Sequence, residues 1–286
     1  MNEELSALLL LRDMTENNQK KILADLNSFL IESTQDLYDF NVTFEDAGLL
    51  EKLLIQIIFH NSSLMNLTEG SKIPIRDKTL QIKDLTAVYS IARLQIDSFI
   101  NLSYLFFMES EYPQNLRVYV YKIHGLRRQL LLNKKHPKRS NQILKIRREL
   151  AEEIRKLRTT RRYLDASFKE REKFVEPKYA KLLKSEEVLK VQEFYNLERL
   201  YSLYSNHIHG EYIGIRQLNS SLKEQNVFEN NIASVLQTCC LITSSTIMNL
   251  VSKFGIENGY YSKAPSILKK IVEVQCKISK NLRMTT

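Results

Sequence analysis

From Leu116, the apolar residues Tyr119, Ile123, Leu126 and Leu130 return at alternating spacings of three and four. That interval lines one face of an α-helix. Beyond the breaker-rich link Asn133-Lys134-Lys135-His136-Pro137-Lys138-Arg139-Ser140, a second helix is predicted. There Ile143, Leu150, Leu157 and Leu164 repeat every seven residues, with Ile146 and Ile154 beside them. Two narrow apolar seams joined by a short link predict an antiparallel helical hairpin, about 30 to 35 Å long at 1.5 Å per residue.

The same periodicity recurs on either side. Leu23, Leu26, Phe29 and Leu30 form a stripe within residues 1 to 40, and Leu49, Leu50, Leu53, Leu54, Ile57 and Ile58 form another behind a capping arrangement at Thr43 and Asp46. Residues 68 to 78, with Gly70 and Pro74, read as a loop, and a long helix is expected from about Leu80 to Met108, ahead of Pro113. Ser185 starts a helical region that runs to Ile208, Gly210 and Gly214 bracket a loop, and helices follow over 228–254 and 265–282. Only 7 glycines and 5 prolines punctuate 286 residues, whereas sheet proteins need them at many turns. The expected fold is therefore all-α: a helical bundle made of residues 1–113 and 178–286, with 114–177 inserted as a protruding cationic antiparallel hairpin.

Charge sharpens this division. Residues 117–178 hold 20 Lys and Arg against 7 Asp and Glu, while the remainder holds 22 against 26. A mildly acidic body with one basic insertion means that an anionic partner meets the insertion. On the second hairpin helix, Arg147, Arg148, Arg155, Arg158 and Arg162 fall within a sector of roughly 100° beside the seam, and Glu149 and Glu152 point away. Guanidinium groups sorted to one face, with Lys134 and Lys135 in the link, fit phosphates; Tyr119, Tyr121 and Tyr163 supply rings for stacking. The same stripe also fits an acidic protein surface, which makes a scaffold or regulatory subunit the alternative function class.

Catalytic chemistry has one candidate location. Arg93 and Asp97 stand at i, i+4 on the helix before Pro113, where they share a face and can pair. Tyr201-Ser202-Leu203-Tyr204-Ser205-Asn206-His207-Ile208-His209-Gly210 gathers tyrosines, hydroxyls and two of the five histidines at a helix C-terminus. His207 or His209, with Tyr204, Arg93 and Asp97 as orienting groups, could deprotonate a ribose 2′-hydroxyl and protonate the leaving oxygen. The competing role is a buried polar network in which a histidine bonds to Asp97 or to a backbone carbonyl.

The helix Ala87-Val88-Tyr89-Ser90-Ile91-Ala92-Arg93-Leu94-Gln95-Ile96-Asp97, taken with Tyr201 to Gly210, resembles prokaryotic all-helical families of HEPN-like type over about a fifth of the chain. The resemblance implies an α-helical bundle, often dimeric, of toxin and defence systems whose active members are metal-independent ribonucleases. Those nucleases carry an arginine and a histidine with four to six residues between them, whereas Arg199 and His207 have seven. Arg117 and His124 have six, but they lie on the hairpin and are not assigned as catalytic.

The other classes receive no support. Cys239, Cys240 and Cys276 form neither a CxxC pair nor an even framework, so they read as reduced, mostly buried hydrophobes and no metal is assigned. No phosphate loop, dinucleotide fingerprint or nucleophile elbow occurs, and no cofactor is expected. The apolar stretch 88–108 is broken by Arg93, Gln95, Asp97, Asn101 and Ser103, which predicts a buried helix rather than a membrane span. The expectation is a cytoplasmic homo-oligomer whose partner is nucleic acid, RNA ahead of DNA.

Overall fold

The computed structural model describes residues 3–133, 140–208 and 211–281. Fourteen α-helices and one two-stranded sheet account for most of the described residues, so the fold is all-α. The chain forms two compact units. Residues 1–102 with 189–286 make the first, and residues 103–188 make the second.

In the first unit, α1 (Glu3–Arg12), α2 (Glu16–Asp39), α3 (Ala47–Glu69) and α4 (Leu85–Leu102) precede the second unit in the chain. After it come α10 (Tyr195–Ile208), α11 (Tyr212–Lys223), α12 (Gln225–Phe254), α13 (Tyr260–Lys263) and α14 (Ser266–Asn281). The long helix α12 packs along α2, α14 and α4, while α3 lies on α4 and α1 on α14. By length and composition α12 has a stretch apolar enough to cross a membrane, at Asn226–Phe254, but most of that stretch is buried inside this unit. Leu23, Leu26, Phe29 and Leu30, the α2 stripe legible in the sequence, are fully buried.

A polar knot sits in this apolar core. The Asn61 amide donates to Asn27 Oδ1 at 2.9 Å and to Thr243 Oγ1 at 3.0 Å, and its Oδ1 accepts from Gln95 Nε2 at 2.7 Å. Four helices are thereby tied in one register, because each bond forms only when its partners stand level.

Several local expectations are corrected. The segment read as a loop is a hairpin of β1 (Ser71–Ile75) and β2 (Lys78–Ile82), with Ile73 opposite Leu80, and Arg76 at the turn has φ +53°. Pro74 is tolerated because a two-stranded sheet has only edge strands. The following helix consequently starts at Leu85, with the Asp84 carboxylate accepting from Ala87 N at 3.0 Å, and its end widens into a π turn over Ser103–Phe107. Thr43 and Asp46 do not form the expected cap: Asp46 precedes α3 without a side-chain bond to its first turn. The region from Ser185 breaks into α9 (Ser185–Val191) and α10, and Gly214 lies within α11 rather than in a loop.

The second unit contains α5 (Gln114–Asn133), α6 (Ser140–Thr159), α7 (Arg161–Leu164) and α8 (Phe168–Val175). Leu116, Tyr119, Val120 and Ile123 of α5 pack with Leu157 of α6 and Phe174 of α8, while Leu150 and Ile154 are partly buried against the same cluster. The expected sevenfold seam stops early. Thr160 ends α6, accepting from Tyr163 N to cap α7, so Leu164 no longer follows the α6 stripe and is 58% exposed. The link residues Lys134, Lys135, His136, Pro137, Lys138 and Arg139 lie outside the described residues.

Candidate nucleic-acid interface and the histidine cluster

Helix α6 separates charge from apolar surface as its sequence demands, with Ile146 and Leu157 buried and Arg147, Arg148 and Arg158 exposed. These three arginines form no ion pair among the described residues. The other two arginines of the predicted stripe are engaged. Arg155 grips Glu152 in a bidentate pair at 2.8 and 2.7 Å, so Glu152 does not point away. That bond lowers the Glu152 carboxyl below its ordinary value and raises Arg155.

Arg162 stands on α7, beyond the break at Thr160, and donates to Glu170 at 2.8 Å with Tyr112 and Phe174 rings at 5.8 and 5.9 Å. Glu170 also closes the capping box of α8, accepting from the Ser167 N–H and hydroxyl. The Arg162 bond first, and the Ser167 donors after it, pull its carboxyl down to about 2. Lys134 and Lys135 fall outside the described residues.

Arg117, on α5, is buried, and its guanidinium donates to Met108 O and Ser110 Oγ at 2.9 Å each and lies 5.6 Å from the Tyr104 ring. It has no carboxylate partner among the described residues, and burial lowers its pKa. Its bonds fasten the end of the π turn to α5, a structural task.

The candidate catalytic residues lie on α4 and α10. Tyr89 meets Tyr204 and His207 with ring centroids 5.1 and 4.3 Å away, Arg93 meets Tyr201, and Phe99 meets Phe194 at 5.1 Å. Partners ascend one helix as they descend the other, so the two helices are antiparallel neighbours. Arg93 donates to the Tyr201 hydroxyl at 3.1 Å and covers that ring at 5.0 Å, and its Nε is buried without an acceptor. Among the described residues its partner is Tyr201, not the Asp97 expected at i+4. Asp97 stands two turns, about 12 Å, beyond Tyr89 along α4, toward the opposite end of the interface from His207.

His207 is 7% exposed. Tyr204 is fully buried beside Thr238 of α12, its hydroxyl short of good hydrogen-bond geometry, and burial pushes the phenol far above its ordinary value. Tyr89 is raised to about 12 by burial. Phenols so placed keep their protons at neutral pH and act as donors or packing surfaces, not as bases. Gly214 lets α11 approach: a Cβ there would lie 2.7 Å from Asn206 O and 3.1 Å from His207 Cα. His209 lies outside the described residues.

Tyr89, Tyr201 and Gly214 belong to this cluster, although the sequence marked none of them as site residues. The signal for Tyr89 was its i−4 relation to Arg93, which puts both on one face. No group of three or more His, Cys, Asp or Glu able to hold a metal occurs among the described residues. Comparison with known proteins finds no matching family model, no matching curated protein and no matching solved structure.

Proposed function

We propose that this chain binds nucleic acid through the exposed arginine face of α6, acting from the cytoplasm with RNA as the preferred partner. One observation carries the reading. Arg147, Arg148 and Arg158 stand exposed without an ion pair among the described residues, along about 16 Å of helix, and so remain available for phosphates. The HEPN-like resemblance supports RNA over DNA. The burial of His207 and Tyr204 supports a packing role for the α4–α10 cluster, so binding ranks ahead of cleavage.

Phosphate contacts release counterions, so affinity for unrelated oligonucleotides falls steeply with salt. Arg147→Glu and Arg158→Glu each lower the log–log salt slope by about 0.7 for a single strand. Arg155→Ala has a smaller effect, because that guanidinium already holds Glu152. Fluorescence anisotropy across a salt series measures all three. A wild-type protein with no salt-sensitive affinity for RNA or DNA overturns the proposal and leaves docking on an acidic protein. Incubating the same RNA with wild type and His207→Ala in excess chelator tests cleavage: loss of an activity in the variant would return His207 to a catalytic role.

A further inference from the structure

We infer that Phe168 is a stacking platform for an unpaired base, and that the nucleic acid taken by the second unit is single-stranded; this rests on the binding role proposed for α6. Phe168 is 86% exposed, more than any other large hydrophobic side chain described. Lone exposed apolar residues are ordinary; what distinguishes this one is its mount and its surroundings.

Phe168 opens α8 immediately after the Ser167 cap, whose box partner Glu170 is held in turn by Arg162 at 2.8 Å. Arg171, one turn further on, donates to Tyr163 O at 3.0 Å and to Leu164 O, and covers the Tyr163 ring at 5.5 Å. The first turn of α8, which carries the exposed ring, is thus tied to α7 through Glu170 and Arg171, which lowers the entropy lost when a ligand settles on it. Exposed cations accompany it in the chain: Arg158 in the last turn of α6, Lys169 next after Phe168, and on α7 Arg161, at 96% side-chain exposure and 3.7 Å from the exposed Asp165.

Cations beside a rigidly mounted, uncovered aromatic ring match a strand that offers both phosphates and a free base face. A duplex offers the phosphates but keeps its base faces covered by stacking, so only a single strand uses both parts. An apolar protein surface would leave Arg158 and Lys169 unmatched.

The chain contains no tryptophan, so Phe168→Trp installs a single reporter in an exposed position. A mixed-sequence single-stranded RNA 20-mer should quench its fluorescence on binding, and the duplex of the same sequence should leave it unchanged. In anisotropy titrations, Phe168→Ala should weaken single-strand binding about 5- to 140-fold with the salt slope and duplex affinity unaltered. Equal single-strand affinity in wild type and Phe168→Ala, or equal quenching by duplex, overturns the inference. If that happens while Arg158→Glu still lowers the salt slope, only the stacking platform fails. If no oligonucleotide binds at low salt, the α6 reading fails with it.

Discussion

Asn61 shows how much a single side chain decides in this molecule. Its amide is fully buried and uses both its donor and acceptor sides on Asn27, Thr243 and Gln95. Removing one member of such a knot strands the others in an apolar core, which costs more than the net value of the bonds themselves. Asn61→Leu should therefore destabilise the protein by about 2 to 4 kcal/mol, read as a lower urea midpoint at unchanged m-value. Arg117 makes the same point for charge, since its carbonyl, hydroxyl and aromatic partners replace the hydration it loses. Neither role is legible in the sequence. Asn61 sits in an apolar stripe like a tolerated polar interruption, and Arg117 counts in the sequence as one more cation of the basic segment.

At the scale of elements, long helices were readable wherever an apolar stripe persisted for several turns, as in α2, α5, α6 and α12. Short elements were not. In the β1–β2 hairpin Ile73, Ile75, Leu80 and Ile82 alternate with period two, but over five residues per strand that pattern does not outweigh a Gly and a Pro nearby. Glycine most often marks a break, so Gly214 reads as a loop marker in the sequence; its role instead is close approach between helices, which depends on a neighbour the sequence does not name. Replacing it tests this. Gly214→Ala puts a Cβ 2.7 Å from the Asn206 carbonyl, a backbone atom that cannot step aside without moving α10 or α11. A loss of about 1 to 3 kcal/mol is expected, with Tyr89 and His207 repacked, and thermal denaturation together with aromatic side-chain NMR would register both. An unchanged melting temperature and unchanged ring shifts would refute the contact.

For the molecule as a whole, charge and core are divided between the two units: residues 103–188 carry 22 basic and 11 acidic side chains, the remainder 20 and 22. Stability should also depend on pH through both. Burial holds His60, in the first unit, below its ordinary value, and burial followed by Arg128 does the same to His124 in the second. Both fold as neutral groups, so their contribution is complete above about pH 6.5, the unfolded value, and is lost as pH falls through the lower folded values. Glu170 adds a second window: its stabilisation is present above about 4.5 and disappears toward 2. The melting temperature should thus fall between pH 7.5 and 5.5, and His60→Gln with His124→Gln should flatten that fall. The sequence by itself determined the helical class, the segregation of charge and the face of α6 that its arginines occupy. These follow from composition and the 3.6-residue period, properties of a single chain segment. Tertiary structure decided that Glu170 takes Arg162 beyond the break at Thr160, that Tyr201 and not Asp97 answers Arg93, and that Phe168 stands uncovered. Each of these depends on distances between segments far apart in sequence, or on where a helix breaks, and packing energy settles them only once the chain has folded.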